Sequence, residues 1–163
     1  MLYIIEGPDK CGKSTFIKRN DIDIWCEGIE DFQQKISTLT HFSKIAVHFD
    51  ANDKDPVRSL GLCIQTAMIH DVYMDRSWIS EMVYGVVYRG EMNIKPIDEG
   101  YILWLLQKHP HIIYYFDKPI AETDNKDIFE KDAEKMELVK VRYNQIIARY
   151  KHTLNIYEME AVL

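Results

Sequence analysis

Residues 7–14 read GPDKCGKS, preceded by MLYIIE (1–6) and followed by TFIKR (15–19). Gly7, Gly12, Lys13 and Ser14 fill the fixed positions of the pattern GxxxxGK[ST]. At average residue usage, chance produces this pattern in a chain of this length roughly once in a few hundred. The apolar run Leu2–Ile5 predicts a buried strand before it, and Lys13–Arg19 predicts a helix after it. A phosphate-binding loop requires that strand–loop–helix setting. Gly7 and Gly12 allow backbone conformations that a Cβ would obstruct. Successive backbone N–H groups can then converge on phosphate oxygens, aided by the start of the helix. The loop Gly7, Pro8, Asp9, Lys10, Cys11, Gly12, Lys13, Ser14 and Thr15 is therefore expected to hold ATP. In that setting Lys13 reaches the β- and γ-phosphates and Ser14 ligates Mg²⁺.

Working outward, further apolar runs at Ile45–Phe49, Val72–Met74 and Ile112–Phe116 predict buried strands, and Thr153–Tyr157 is a weaker fifth. Helical patterns lie between them at Glu30–Phe42, Val57–Ile69, Trp78–Tyr88, Ile97–Lys108 and Ile128–Tyr150. Strands alternating with helices imply an α/β fold, a mainly parallel sheet covered on both faces. No repeat, low-complexity tract or linker divides residues 1–163, so a single domain is expected. The segment Asn20–Ser43 has no clear place in this scheme.

The 163 residues are 47% hydrophobic and 28% charged, with a formal net charge of −6. That balance suits one globular domain and argues against a generally basic face for nucleic acid. The three cysteines, Cys11, Cys26 and Cys63, are too few and too scattered for a disulfide framework or a metal-ligand set. No basic n-region opens the chain and no run approaches the ~18 apolar residues of a membrane span. A soluble, cytoplasmic protein without membrane contact is expected. His109 and His111 lack Cys or carboxylate partners at ligand spacing and read as loop residues.

A regulatory GTPase would also need a DxxG element beyond the loop and an NKxD element. No DxxG stands downstream, and Asn125-Lys126-Asp127 brings the aspartate one place too early. The second informative stretch is DRSWISEMVYGVVYRG, residues 75–90. Asp75 ends a strand, on the sheet edge where open α/β folds bind ligands. Arg76 beside it offers a planar fork to a phosphate. Taken alone, the pair is equally consistent with a helix N-cap beside a surface arginine.

With Ser80 five positions and Tyr84 nine positions after Asp75, and Asp9 third in the loop, the chain resembles the thymidylate kinase family, including the short deoxynucleoside monophosphate kinases of viruses and phages. The resemblance implies a three-layer P-loop kinase with five parallel strands in the order 2-3-1-4-5. It implies phosphoryl transfer from Mg·ATP to a deoxynucleoside monophosphate such as dTMP, small-molecule nucleotides as partners, and a lid at about 117–134. A homodimer is compatible with it. Asp9 would accept a hydrogen bond from the acceptor's sugar 3′-hydroxyl. Arg76 would hold the acceptor phosphate, with Ser80 and Tyr84 beside it, and Asp75 would steer Mg²⁺ or its waters. Arg58 would match a helix arginine that clamps the same phosphate, in loose register because Asp50 stands where the family has proline.

The family places a basic residue at the transferring phosphoryl group, either from the loop or from lid arginines. Here the loop has Lys10 and the lid region has lysines (Lys118, Lys126, Lys131) but no arginine. Catalysis is accordingly expected from Lys13, Lys10 and Asp75. Two departures bear on the acceptor: Val57–Ile69 holds no aromatic to stack on a base, so Trp78, Tyr84 or Tyr88 would have to replace it, and the segment Asn20–Ser43 has no clear family counterpart. Two other functions compete. A deoxynucleoside kinase would need a general base for a 5′-hydroxyl, and no carboxylate stands just after Ser14. A nucleotide-binding module without turnover would share the loop.

Overall fold

The computed structural model describes residues 1–51, 53–117 and 133–159. The elements in chain order are β1 (Leu2–Glu6), α1 (Lys13–Lys18), β2 (Ile24–Glu27), α2 (Gly28–Ile36), β3 (Lys44–His48), α3 (Pro56–Ala67) and β4 (Asp71–Asp75). There follow α4 (Trp78–Tyr84), a π-helical turn (Gly85–Arg89), α5 (Pro96–Gln107), β5 (His111–Phe116), α6 (Ala133–Tyr150) and β6 (Ile156–Met159). All strand pairings are parallel, in the order β2-β3-β4-β1-β5-β6.

Among the described residues the sheet has six strands, which corrects the expectation of five. The additional strand is β2, inside the Asn20–Ser43 segment, where it extends the sheet beyond β3. The other five keep the expected order. β2 escapes a search for apolar runs because Cys26 is its only buried residue, while Trp25 and Glu27 face outward. A polar latch holds it: the Asp23 amide donates to the Lys44 carbonyl (2.9 Å), and the Lys44 amide donates to Asp23 Oδ2 (2.8 Å). Gly28, at φ +79°, makes the abrupt turn from β2 into α2.

The pleat divides the core in two. Leu2, Ile4, Ile45, Val47, Val72, Met74 and Ile113 pack against α3, α4, α5 and α6 through Leu60, Trp78, Ile102, Tyr143 and their neighbours. The opposite face carries Ile5, Ala46, Tyr73 and Phe116, covered by α1 through Ile17 and Phe16. Tyr3 and Tyr73 stack there at 4.6 Å. Helices on both faces make the expected three layers.

Helix boundaries differ from expectation where local chemistry intervenes. Asp55 caps α3 by accepting from the Arg58 amide (3.1 Å), and Pro56 opens the helix. The helix expected at Trp78–Tyr88 changes at Gly85 into the π turn, which ends at Gly90 with φ +77°. Ile128 and all of the lid region except Asp117, Ala133 and Glu134 lie outside the described residues. His111 is structural, its Nδ1 lying 2.9 Å from the His109 carbonyl and its Nε2 accepting from the Asn155 amide (3.3 Å). Among the described residues no helix is long and apolar enough to cross a membrane.

Candidate functional site

The C-terminal ends of β1, β3 and β4 converge on one edge of the sheet. From β1 the chain enters residues 7–14, where Gly7 (φ +146°), Lys10 (φ +60°) and Gly12 (φ +98°) take left-handed or related conformations. A Cβ on Gly7 would collide with the Phe116 carbonyl oxygen and lie 2.8 Å from Cys11 Sγ, so this position requires glycine. Lys10 has no such exemption, and a non-glycine residue there carries roughly 1–3 kcal/mol of strain. The Lys13 ammonium is buried and donates to the carbonyls of Gly7 (2.9 Å) and Pro8 (2.8 Å), lying inside the curve of the loop. Cys11 is fully buried, and burial raises its thiol pKa despite the nearby Lys13. Ser14 and Thr15 are exposed at the start of α1.

β4 delivers the second half. Asp75 is 5% exposed, and its Oδ2 lies 3.0 Å from His48 Nδ1, at the end of β3. Its Oδ1 is buried and has no hydrogen-bond partner among the described residues. The hydrogen bond that Asp75 accepts raises the His48 pKa, against the opposing effect of burial. Arg76 follows with φ +77°, and its guanidinium pairs with Asp9, donates to Ser80 Oγ (3.3 Å) and lies 5.0 Å from the centre of the Tyr84 ring. Burial favours its neutral form. The oxygens of Tyr143, Tyr84, Asp9 and Glu6 outweigh that, and the net shift is upward. Tyr84 in turn accepts from the Asp9 amide (3.3 Å), and burial pushes its phenol up to about 12.

These groups border a cavity of about 550 Å³, lined by Asp9, Arg76 and Tyr84 together with His48, Asp50, Ala51, Tyr88 and Arg89. Tyr84 and Tyr88 stack at 5.9 Å along one side. Arg89 is held by an ion pair to the fully buried Glu81, which also accepts from the Asn93 amide (2.8 Å). Gly85 makes room for this arrangement, since a Cβ there would stand 2.6 Å from the Glu91 carbonyl oxygen and 2.8 Å from Arg89 Nη2. The π turn thereby brings Arg89 to the cavity.

Three expected site residues are placed otherwise. Ser80 is fully buried, so its hydroxyl cannot touch a ligand in the cavity; it donates to Glu6 Oε2 (2.7 Å) and accepts from Arg76. Arg58 is exposed on α3, donates to Gln33 Oε1 (3.1 Å), and lines a separate groove with Tyr101 and Leu105. Trp78 is a core residue whose indole N–H donates to the Tyr150 hydroxyl (3.3 Å). Sequence reasoning passed over His48, Asp50 and Arg89. It also passed over Glu6, whose fully buried carboxylate accepts from Ser77 N and Oγ, Ser80 N and Oγ, and the Tyr143 hydroxyl. A signal for Glu6 was present: a charged residue closing an otherwise apolar strand must be paired.

Solved structures share this architecture. The YorR protein of Bacillus subtilis, in complex with phosphorylated GDP, matches with a TM-score of 0.58 at 16% identity, covering 99% of this chain and 86% of that one. The likeness is one of fold. Deoxyadenosine kinase from M. mycoides, holding the products dCMP and a flexible dCDP, matches at 0.51 and 16% identity over 100% of this chain and 92% of that one. Thymidylate kinase from Ehrlichia chaffeensis matches at 0.50 and 14% identity, over 100% and 88%. No family model and no curated protein matches the sequence. At these identities the P-loop kinase likeness concerns the fold, and chemistry must be argued from the site.

Proposed function

We propose that the protein transfers the terminal phosphoryl group of ATP to a deoxynucleoside monophosphate. The observation that carries this reading is the Asp9–Arg76 pair, which joins the phosphate-binding loop to a cavity bearing a second arginine and two stacked tyrosines. Arg76 offers a fork to the acceptor phosphate, and Asp9 accepts from the sugar hydroxyl. Tyr84 and Tyr88 supply the stacking surface that α3 lacks. Arg89 adds donors at the far end, where an arginine already neutralised by Glu81 acts through directed hydrogen bonds more than through net charge.

An acceptor phosphate oxygen attacks the γ-phosphorus and forms the new P–O bond while the bond to the β,γ-bridging oxygen breaks. The products are ADP and a deoxynucleoside diphosphate. A monophosphate is largely ionised at neutral pH, with a second pKa of about 6, so no base need remove a proton. The protein's share is positioning and charge stabilisation. Lys13 binds the donor phosphates, and Lys10 adds charge at the transferred group. Ser14 and Asp75 Oδ1, the latter without a hydrogen-bond partner among the described residues, would offer hard oxygens suited to Mg²⁺. Bound there, the ion would neutralise phosphate charge.

A second reading has its own support. Asp50 lines the cavity, so a carboxylate does stand on the acceptor side, where a 5′-hydroxyl would need a general base. A panel of common nucleosides and their monophosphates, each with ATP and Mg²⁺ and read by product mass, separates the two. Diphosphates from monophosphates are expected. Monophosphates from nucleosides would establish the second reading, and ADP formation with no acceptor would leave neither.

A further inference from the structure

Glu6 immediately precedes the phosphate-binding loop, yet its side-chain hydrogen bonds, among the described residues, run to Ser77, Ser80 and Tyr143. Oε1 accepts from Ser77 N (2.7 Å), Ser77 Oγ (2.7 Å) and Ser80 N (3.3 Å), and Oε2 accepts from Ser80 Oγ (2.7 Å) and the Tyr143 hydroxyl (2.9 Å). Four of these donors belong to the segment directly after Arg76, and the fifth comes from α6. The neighbouring Ile5 carbonyl accepts from the Arg76 amide itself (3.1 Å). The end of β1 thus grips the backbone on both sides of the Arg76 side chain.

Arg76 needs such a grip. Its φ of +77° is a conformation that L side chains disfavour, at roughly 1–3 kcal/mol, and it persists only where the surroundings over-determine it. Its side chain is also 8% exposed, a guanidinium largely removed from water that must find partners. Ser80 connects the two requirements: its Oγ accepts from Arg76 Nη1 and donates to Glu6, so the carboxylate fixes the orientation of a hydroxyl that the arginine uses.

We propose that Glu6 is the positioning residue of the acceptor half, holding Arg76 in its left-handed, cavity-facing conformation through Ser77 and Ser80, and that it has no part in donor binding. The ligand class it serves is the acceptor monophosphate, so this inference rests on the function proposed above. It inverts what the order of residues suggests, because a residue adjoining Gly7 should otherwise affect ATP.

The test uses Glu6→Gln, which keeps the shape and can accept from Ser77 but removes the charge, with Ser77→Ala as a milder variant. Steady-state constants for ATP and for the best acceptor are measured alongside thermal stability. Separately, the rate at which Arg76 reacts with phenylglyoxal is mapped by mass spectrometry, which requires no turnover. Losing one charged hydrogen bond at this site predicts about a 10-fold rise in the acceptor KM for Glu6→Gln and about 3-fold for Ser77→Ala. The ATP KM should stay within about 2-fold, and Arg76 should be modified several-fold faster. Equal rises in both Michaelis constants, or an acceptor KM that does not move, would overturn the proposal. So would unchanged Arg76 reactivity in a folded variant. If Glu6→Gln does not fold, Ser77→Ala carries the same comparison. If the wild type turns out to lack monophosphate kinase activity, the proposed function falls by itself, and the Arg76 modification rates still decide whether Glu6 holds that residue.

Discussion

The two halves of the site are built by opposite means. In the proposed donor half, Gly7 to Ser14, the functional groups are held by the loop itself: Lys13 bonds the carbonyls of Gly7 and Pro8, six and five residues away. In the proposed acceptor half, Arg89 is held by Glu81 eight residues away, but the groups at the strand ends are held from a distance. Arg76 pairs with Asp9, Asp75 with His48, and Ser77 and Ser80 with Glu6, across separations of 27 to 74 residues. A self-contained loop can be recognised as a motif, whereas a wall assembled from three strand ends exists only once the sheet has formed. Damage to the first half should be local and severe. Damage to the second should be graded and should spread between partners.

The largest effect should come from Lys13→Ala, which removes the charge proposed to bind the donor phosphates. Turnover should fall by at least about 100-fold, and activity above a tenth of wild type would break the assignment of the donor half. Arg76→Ala should raise the acceptor KM by about 10- to 100-fold, since charged hydrogen bonds are worth about 1.5–3 kcal/mol. The ATP KM should change little, and equal effects on both would erase the distinction between the halves.

How legible each half is in the sequence follows from the same contrast. The motif, its strand and its helix can be read directly, because the glycines and the apolar run are contiguous. Five of the strands can be read too, four of them as runs of β-branched or aromatic residues, while their order follows only from the family resemblance. β2 could not, since its place depends on the polar latch between Asp23 and Lys44. In the proposed acceptor half, Asp9, Asp75, Arg76 and Tyr84 are singled out by their match to the spacing of the family they resemble, and the structure sets Arg76 against Asp9 and Tyr84. Ser80 has the right spacing but lies beneath the cavity on Glu6, because helical spacing fixes a face and not a depth. His48 and Arg89 gave no signal: one ends an apolar strand, and the other depends on a π turn at Gly85.

Lys10 sharpens the comparison from the donor side. If it acts mainly on the transition state, Lys10→Ala should lower kcat by about 10-fold and leave both Michaelis constants nearly unchanged. Lys10→Arg should preserve or raise kcat, because a fork can contact two phosphate oxygens. A silent Lys10 combined with a damaging change at Lys126 or Lys131 would move the catalytic charge out of the loop. Asp9 belongs to both halves and should show a smaller, coupled effect. Wild type should discriminate against 3′-deoxy acceptors by several-fold, and that ratio should shrink in Asp9→Ala. Because Asp9 also pairs with Arg76, only the cycle over protein and ligand isolates the sugar contact; an unchanged ratio would place sugar recognition elsewhere.

The smallest effect concerns His48, whose pKa is raised in the folded state by Asp75. A raised histidine contributes stability that is fully present below its unfolded pKa of about 6.5 and is lost as pH rises through the folded value. The stability difference between wild type and His48→Gln should therefore be largest in mildly acidic solution and fade in alkaline solution. With the His48 side chain nearly half exposed, solvent screening keeps it small. Melting temperatures across that range check the sign, and a difference that grows with pH would contradict the pairing.

The central claim is that the cavity beside the loop receives a phosphate as the nucleophile. The most direct measurement supplies ATP labelled at its γ-phosphate together with an equimolar mixture of deoxynucleosides and their monophosphates, and then locates the label. The label should appear as the β-phosphate of a deoxynucleoside diphosphate while the free nucleosides remain unchanged. Label in a newly formed monophosphate, or only in inorganic phosphate, would contradict it.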